Sequence, residues 1–364
     1  MRAYAILTVV YAHSEDLFNT VLPFKHDGVG IFFVLSGFLI GKILLAVINK
    51  PGFNYKHLID FWVRRWLRTL PAYYFVVTAL ILLTARHYHA DGLYSPPLWK
   101  YYFFFQSVSH IGLTFFPESW SLSVEEWFYL VVPFLFFLSL KLKFTVKKTV
   151  IFWIVFILLV QLAVKLYLCF TKTIADADGW FSILRGATIL RLDSIMLGVL
   201  GAFLQYYQYK IWLAKKGLYF YSGIFLFFLA TSGIFYLSNY IALPFIILLS
   251  VYLNTFGALL ILPMLSTVNS GKGHVYKAIT FISTISYSMY LLNLTPFKFA
   301  LKQVNHVVKW MAAHFHFSPL VLQTWWYSSF QVVFYFCFVI LGAYLLNIFI
   351  ERPFMRLRKK IKIA

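Results

Sequence analysis

The stretch Val29–Ile48, VGIFFVLSGFLIGKILLAVI, runs for twenty residues with one charge, Lys42, and one hydroxyl, Ser36. A helix of that length rises about 30 Å, the thickness of a bilayer's hydrocarbon core. Similar apolar runs recur along the whole chain. The expected spans are roughly 3–13, 29–48, 70–85, 120–140, 149–170, 190–208, 218–237, 243–266, 278–300 and 325–350. Composition points the same way. The 364 residues are 61% hydrophobic and 12% charged, where a soluble protein carries about 25% charged residues. The mean hydropathy is +0.77. The period-two alternation of β-barrel strands is absent. The expected fold is therefore all-α: a polytopic transmembrane helical bundle of about ten spans, forming one integral membrane domain over residues 1–364. No cleavable leader is expected. The first span is short, so it either continues through the polar SEDLFNT that follows or ends in a cavity.

The net charge of +20 does not call for nucleic acid, because membrane proteins gather Lys and Arg in cytoplasmic loops. With the N-terminus placed inside, the inner segments carry 21 Lys and Arg and the outer segments 7. That imbalance predicts an even number of spans with both termini cytoplasmic. Cys169 and Cys337 lie in apolar runs and suggest neither a disulfide framework nor a metal site. The pairs His87/His89 and His314/His316 supply too few ligands to argue zinc, so no metal is expected.

Four constellations carry possible chemistry. In MRAYAILTVVYAHS, Arg2 and His13 are 11 residues apart, close to three full turns and about 16 Å along a helix, so both fall on one face. With Arg2 at the inner surface, His13 lies near mid-membrane. A titratable side chain there is a functional candidate, with a hydrogen-bonded structural histidine as the alternative. In FWVRRWLRTLPAYY, Arg64, Arg65 and Arg68 project to one side of a helix at the inner boundary. Guanidinium groups bind phosphate through paired donors, although ordinary positive-inside anchoring accounts equally for three basic residues there. In ESWSLSVEEWFYLVVPF, two of the chain's 12 acidic residues, Glu125 and Glu126, lie about one and a half turns into an apolar run. Entering from the outer side, they reach a level comparable with His13. A carboxylate there would hold the imidazole in one tautomer. In GATILRLDSIMLG, the i, i+2 spacing of Arg191 and Asp193 directs them to different helix sides. They are expected to pair with other helices, in a structural network or at an acceptor site.

In order along the chain, these segments resemble the acyltransferase 3 family of membrane O-acyltransferases. The matching elements are Arg2 with His13, GVGIFFVLSGFLI (Gly28–Ile40), RRWLRTLPAYY, and WSLSVEEWFYLVVP with its Trp-Ser-Leu-x-x-Glu-x-x-Phe-Tyr pattern ending at Tyr129. Weaker matches are RLDSIMLGVLGA, SYSMYLLN and the closing ERPF. The resemblance implies that His13 is catalytic with Arg2 as its motif partner. It implies that Arg64, Arg65 and Arg68 bind acyl-CoA phosphates, and that Glu125 rather than Glu126 is the recurrent carboxylate. Ser36, Ser121 and Tyr129 are supporting candidates in the matched motifs. The implied reaction moves an acyl group, usually acetyl, from cytoplasmic acyl-CoA to a hydroxyl of a glycan or glycolipid, in the inner membrane of a bacterium. Two positions depart from the family: Gly30 stands where an acid is common, and Asn293 where a histidine is common. A transporter or flippase of saccharide or lipid intermediates is the competing class. It predicts paired midplane helix breaks, and the sequence shows no such pairing.

Overall fold

The computed structural model describes residues 1–18, 27–88, 97–108, 113, 115–171, 183–184, 187–233, 242–268, 270–314 and 325–361. Among these the secondary structure is helical, with no strand. The principal helices are α1 (Arg2–Phe18), α2 (Gly28–Ile48), α3 (Tyr55–Tyr88), the short α4 (Trp99–Tyr102), α5 (Trp120–Lys141) and α6 (Val146–Thr171). They are followed by α7 (Leu192–Tyr207), α8 (Tyr209–Ala214), α9 (Lys216–Phe228), α10 (Leu243–Leu265), α11 (Gly273–Leu292), α12 (Thr295–His314), α13 (Trp325–Leu346) and α14 (Arg352–Lys360). Six helical segments among the described residues are long and apolar enough to cross a bilayer: Gly28–Ile48, Tyr55–Thr84, Pro117–Lys141, Val146–Thr171, Leu243–Leu265 and Ser329–Arg358. The segments Leu192–Tyr207 and Lys216–Thr231 are apolar but shorter. The chain is thus an integral membrane protein of helical class.

Several boundaries differ from those the sequence suggests, each for a physical reason. The first helix follows one of the two courses expected of it, continuing past His13 through Ser14, Glu15 and Asp16 to Phe18. The third begins at Tyr55, fifteen residues before the expected start at 70, and passes through Pro71. Proline removes one backbone donor, and a long helix held by neighbours on both sides of the gap survives that loss. The expected span 278–300 is two helices. The helix α11 ends at Leu292 with Asn293 as its cap, and α12 starts at Thr295 with Pro296 in its first turn, where a missing N–H costs nothing. Glu118 seals that break from outside: the Thr295 backbone N–H and hydroxyl both donate to its carboxylate, at 2.8 and 2.7 Å.

Two packed cores form. One joins α2, α5, α6, α7 and α10, and the other joins α1, α3, α5, α11 and α13. Their closest internal contacts are made by glycine. A Cβ on Gly37 of α2 would strike the Ile195 carbonyl of α7, and one on Gly198 would strike the Val34 carbonyl. Gly223 of α9 and Gly257 of α10 meet similarly, a Cβ on either lying under 3.0 Å from the other's carbonyl oxygen. Lipid tails are as apolar as leucine, so helices in a bilayer associate through such close backbone packing.

Candidate functional site

Between the two cores lies a cavity of about 930 Å³. Its walls come from the first residues of α1, the inward face of α2, the middle of α3, the first turns of α5, the length of α11 and the start of α14. Five cationic side chains line it, Arg2, Lys42, Arg65, Arg68 and Arg352, against two carboxylates, Glu125 and Glu351. Arg2, Arg65 and Arg68 have no hydrogen-bonded or ion-paired partner among the described residues, although Arg65 is 91% buried and its guanidinium lies 6.0 Å from the centre of the Phe61 ring. Five cations against two carboxylates around one cavity leave a net positive field aimed into it.

A hydroxyl chain leads to the first carboxylate. The Tyr129 hydroxyl donates to Glu125 Oε2 at 2.8 Å, one helical turn away. Ser36 of α2, 3.0 Å from the same phenol, supplies its own proton in turn. Trp62 ties α3 to the backbone at this point: its indole N–H donates to the Tyr129 carbonyl at 2.8 Å. Ser121, one turn ahead of Glu125, donates to Tyr290 at 2.7 Å, and Tyr290 donates to the Glu118 carbonyl. Ser36, Ser121, Glu125 and Tyr129, selected from separate motifs, therefore share one cavity wall. Glu126 does not reach it. That carboxylate is buried and accepts the Thr69 hydroxyl at 2.8 Å, tying α5 to α3. Residues at i and i+1 point 100° apart on a helix, which is why the two neighbours have separate surroundings.

The placement of His13 differs from the expected pairing with Glu125. His13 does not line the cavity. Its Nδ1 is hydrogen-bonded to Asn293 Oδ1, at the break between α11 and α12. Asn293 is fully buried, and its amide NH2 donates to the carbonyls of Tyr290 and Met289, at 2.6 and 3.3 Å. Those two bonds commit the nitrogen, so the oxygen faces the imidazole. An amide oxygen only accepts, so His13 carries its proton on Nδ1 in this bond, which puts the lone pair of the neutral ring on Nε2. The position where the family resemblance led one to expect histidine thus holds the residue that orients His13. Tyr290, one turn before Asn293, lines the cavity, so His13 stands just beyond its end.

Three further candidates lie outside the cavity. Arg64 turns away from Arg65 and Arg68: its Nε donates to Asp60 at 2.7 Å and its Nη2 to the Ile361 carbonyl at 3.3 Å, anchoring the chain's last helix. Adjacent residues cannot share a helix face, so the three arginines do not act as one cluster. Arg191 is fully buried, pairs with Asp27 at 3.2 Å and covers the Phe33 ring. A Cβ on Gly30 would sit 2.7 Å from the Asp27 carboxylate and 3.3 Å from Arg191, so the acid opposite this arginine comes from Asp27, one turn before Gly30. Asp193, also fully buried, pairs with Lys165 at 2.5 Å and accepts the Tyr252 hydroxyl at 2.8 Å.

Sequence reasoning did not single out Glu351, Asn293 or Tyr290 as site residues, though all three lay in quoted motifs. The signal for Glu351 was the one that marked Glu125: scarce acid beside an apolar run. It is buried against Ser288 and Asn347, with Asn347 Nδ2 donating to it at 2.9 Å. Among the described residues no group of three His, Cys, Asp or Glu side chains is arranged to hold a metal ion. His89 and His316, and the side chain of His87, lie outside the described residues.

The acyltransferase 3 family, described as "Acyltransferase domain", matches residues 1–348. The chain belongs to that family. It is 31% identical over 219 residues to a Staphylococcus aureus (strain COL) protein named "Putative O-acetyltransferase SACOL0978", covering 56% of this chain and 34% of that one. It is 31% identical over 153 residues to "Peptidoglycan O-acetyltransferase OatA" of Listeria monocytogenes, covering 39% of this chain and 24% of the relative. A Bacillus subtilis protein whose name also describes a peptidoglycan O-acetyltransferase, YrhL, is 35% identical over 148 residues, covering 36% and 22%. The chain therefore aligns with about a third or less of the length of these relatives. No solved structure matches it significantly.

Proposed function

We propose that this chain is a membrane O-acetyltransferase that takes an acetyl group from cytoplasmic acetyl-CoA and passes it to a hydroxyl of a cell-surface glycan. Peptidoglycan or its lipid-linked precursor is the first acceptor to test, as the names of the relatives suggest. The observation that carries the reading is the trio Arg2, Arg65 and Arg68, unpaired around a cavity that also holds Glu125. A cavity with excess guanidinium fits the phosphates of a CoA thioester, which these donors bind in paired fashion. Ten spans with both termini cytoplasmic would put that cationic end at the inner face of a bacterial cytoplasmic membrane.

In this reading the thioester arm extends up the cavity past Ser36, Tyr129, Glu125 and Ser121. His13, beyond its end, removes the proton from the acceptor hydroxyl. The acceptor oxygen forms the new ester bond as the thioester C–S bond breaks, and the thiolate leaving group takes up a proton. The thioester is already activated, so positioning, a base and donors for the tetrahedral oxyanion suffice.

The test is transfer of label from acetyl-CoA to purified peptidoglycan and other glycans by membranes containing the protein. Acceptor labelling is expected with the wild type and is expected to be lost in His13→Ala. Labelling unchanged in His13→Ala removes that residue from the chemistry. Labelling of no acceptor by the wild type removes the transferase reading.

A further inference from the structure

The last helix, α14, is the charged element that the reaction outlined above leaves without a role. Its sequence, RPFMRLRKK, holds five basic residues in nine. A bland account is available, since basic residues at an inner boundary anchor a membrane protein. Three features of the structure go beyond that account.

The helix is docked rather than splayed on a surface. It packs along α3, and its C-terminal carbonyl at Ile361 is held by Arg64, itself locked to Asp60. One of its faces belongs to the cavity: Arg352 and Met355, three residues apart, both line it, and the Nε of Arg352 is steered by Asn347 Oδ1 at 3.0 Å. The next residue on that i, i+3 course is Arg358. It is half-buried and lies close enough to Arg64, Arg65 and Arg68 for their charges to act on it. Among the described residues Arg358 has no acidic partner. Like charges brought together and partly removed from water repel, and that cost persists unless an anion fills the gap.

We infer that α14 forms the second wall of the donor's phosphate site. In it Arg352 and Arg358 hold the phosphomonoester of a nucleotide thioester while Arg2, Arg65 and Arg68 hold its diphosphate. This rests on the acyl-CoA reading. It adds that the site is split between two elements, matching a donor that carries a diphosphate and a separate phosphomonoester. The cavity's excess of three positive charges, raised to four by Arg358, corresponds to the roughly four negative charges of such a donor. Arg64 then acts through the helix it anchors and touches no phosphate itself.

The experiment compares binding of CoA and 3′-dephospho-CoA to the purified full-length chain in neutral detergent, for the wild type and for Arg352→Gln with Arg358→Gln. Glutamine keeps helix propensity and removes charge. The wild type is expected to prefer CoA. The double variant is expected to lose about tenfold in CoA affinity and to bind both compounds alike. Retention of the wild-type preference by the double variant overturns the inference. So does loss of binding to anionic vesicles with the CoA preference intact, which would make α14 a lipid-headgroup anchor. Arg352→Lys with Arg358→Lys is expected to recover part of the preference; a lysine variant that behaves like the glutamine one while keeping the wild-type melting temperature also counts against the site. A wild type that binds neither compound sinks the donor reading itself, a different result from any of these.

Discussion

Replacing Asn293 by leucine tests how His13 is held. The amide makes three bonds, two from its nitrogen to the Tyr290 and Met289 carbonyls and one from its oxygen to His13 Nδ1. Leucine has the same branching, is somewhat bulkier, and makes none of the bonds. The two carbonyls close the last turn of α11, so their loss is expected to cost about 1–3 kcal/mol of stability. The imidazole loses the acceptor that sets its tautomer and orientation. General-base catalysis is worth roughly 10²–10⁴ in rate, so kcat is expected to fall by about 10²-fold. The cationic end of the cavity is untouched, so the KM for acetyl-CoA is expected to stay within about twofold. Asn293→Asp separates the two effects, because it keeps an oxygen facing His13 but gives up both donations to the carbonyls. It is expected to be destabilised like the leucine variant yet to retain more of its kcat. The assay is turnover in proteoliposomes with labelled acetyl-CoA, read beside the ¹⁵N spectrum of histidine-labelled protein, which distinguishes the tautomers. A leucine variant with wild-type kcat and an unchanged His13 tautomer would refute the reasoning.

Other expectations follow from the same geometry. Glu125→Gln, at the cavity wall, is expected to lower transfer at least tenfold, whereas Glu126→Gln is expected to keep activity, the Thr69 hydroxyl still finding an amide oxygen; initial rates for the two decide it. Arg65→Ala with Arg68→Ala should weaken CoA binding by about tenfold or more in calorimetry. Lys165→Met strands a fully buried Asp193 and is expected to cost about 3–5 kcal/mol, while Lys165→Met with Asp193→Leu recovers most of it in thermal unfolding. Gly198→Leu should prevent the α2–α7 contact and give no stable monodisperse protein in detergent chromatography, where Gly217→Ala, facing open space, is neutral.

The membrane class was legible because hydrophobicity over twenty residues is a local property, and Val29–Ile48 announces it unaided. The helix ends were less so. Pro71 reads as a boundary in sequence but sits inside α3. The run 278–300 reads as one span but breaks just before Pro296, where Thr295 meets a carboxylate from residue 118, a partner no local window contains. Among the site residues, motif order gathered Ser36, Ser121, Glu125 and Tyr129, which share a wall because α2 and α5 cross there. Helix periodicity alone separates Glu125 from Glu126 and Arg65 from Arg64, but it does not say which of each pair faces inward, since that depends on where α3 and α14 dock. The partner of His13 was hidden for the same reason. Level along the membrane normal suggested Glu125, while lateral position, set by the packing of α1 on α11, gives Asn293.

The buried pair of Lys165 and Asp193 has a consequence for how the chain is made. A charge at the centre of a helix costs roughly 2.5–3.5 kcal/mol when its segment enters lipid alone, an upper bound for Lys165 and Asp193, which stand nearer their helices' ends. Helix α6 is 26 residues long with a mean hydropathy of 2.4 over its most apolar window, enough to carry Lys165 in by itself. The sixteen residues of α7 have no such reserve, and Asp193 stands in their first turn behind Arg191. Synthesis runs from α6 to α7, so the ammonium is already seated when the carboxylate emerges. The better inserter goes first and holds the door for the weaker one, which makes the order of these two helices in the gene a folding instruction as well as a connectivity.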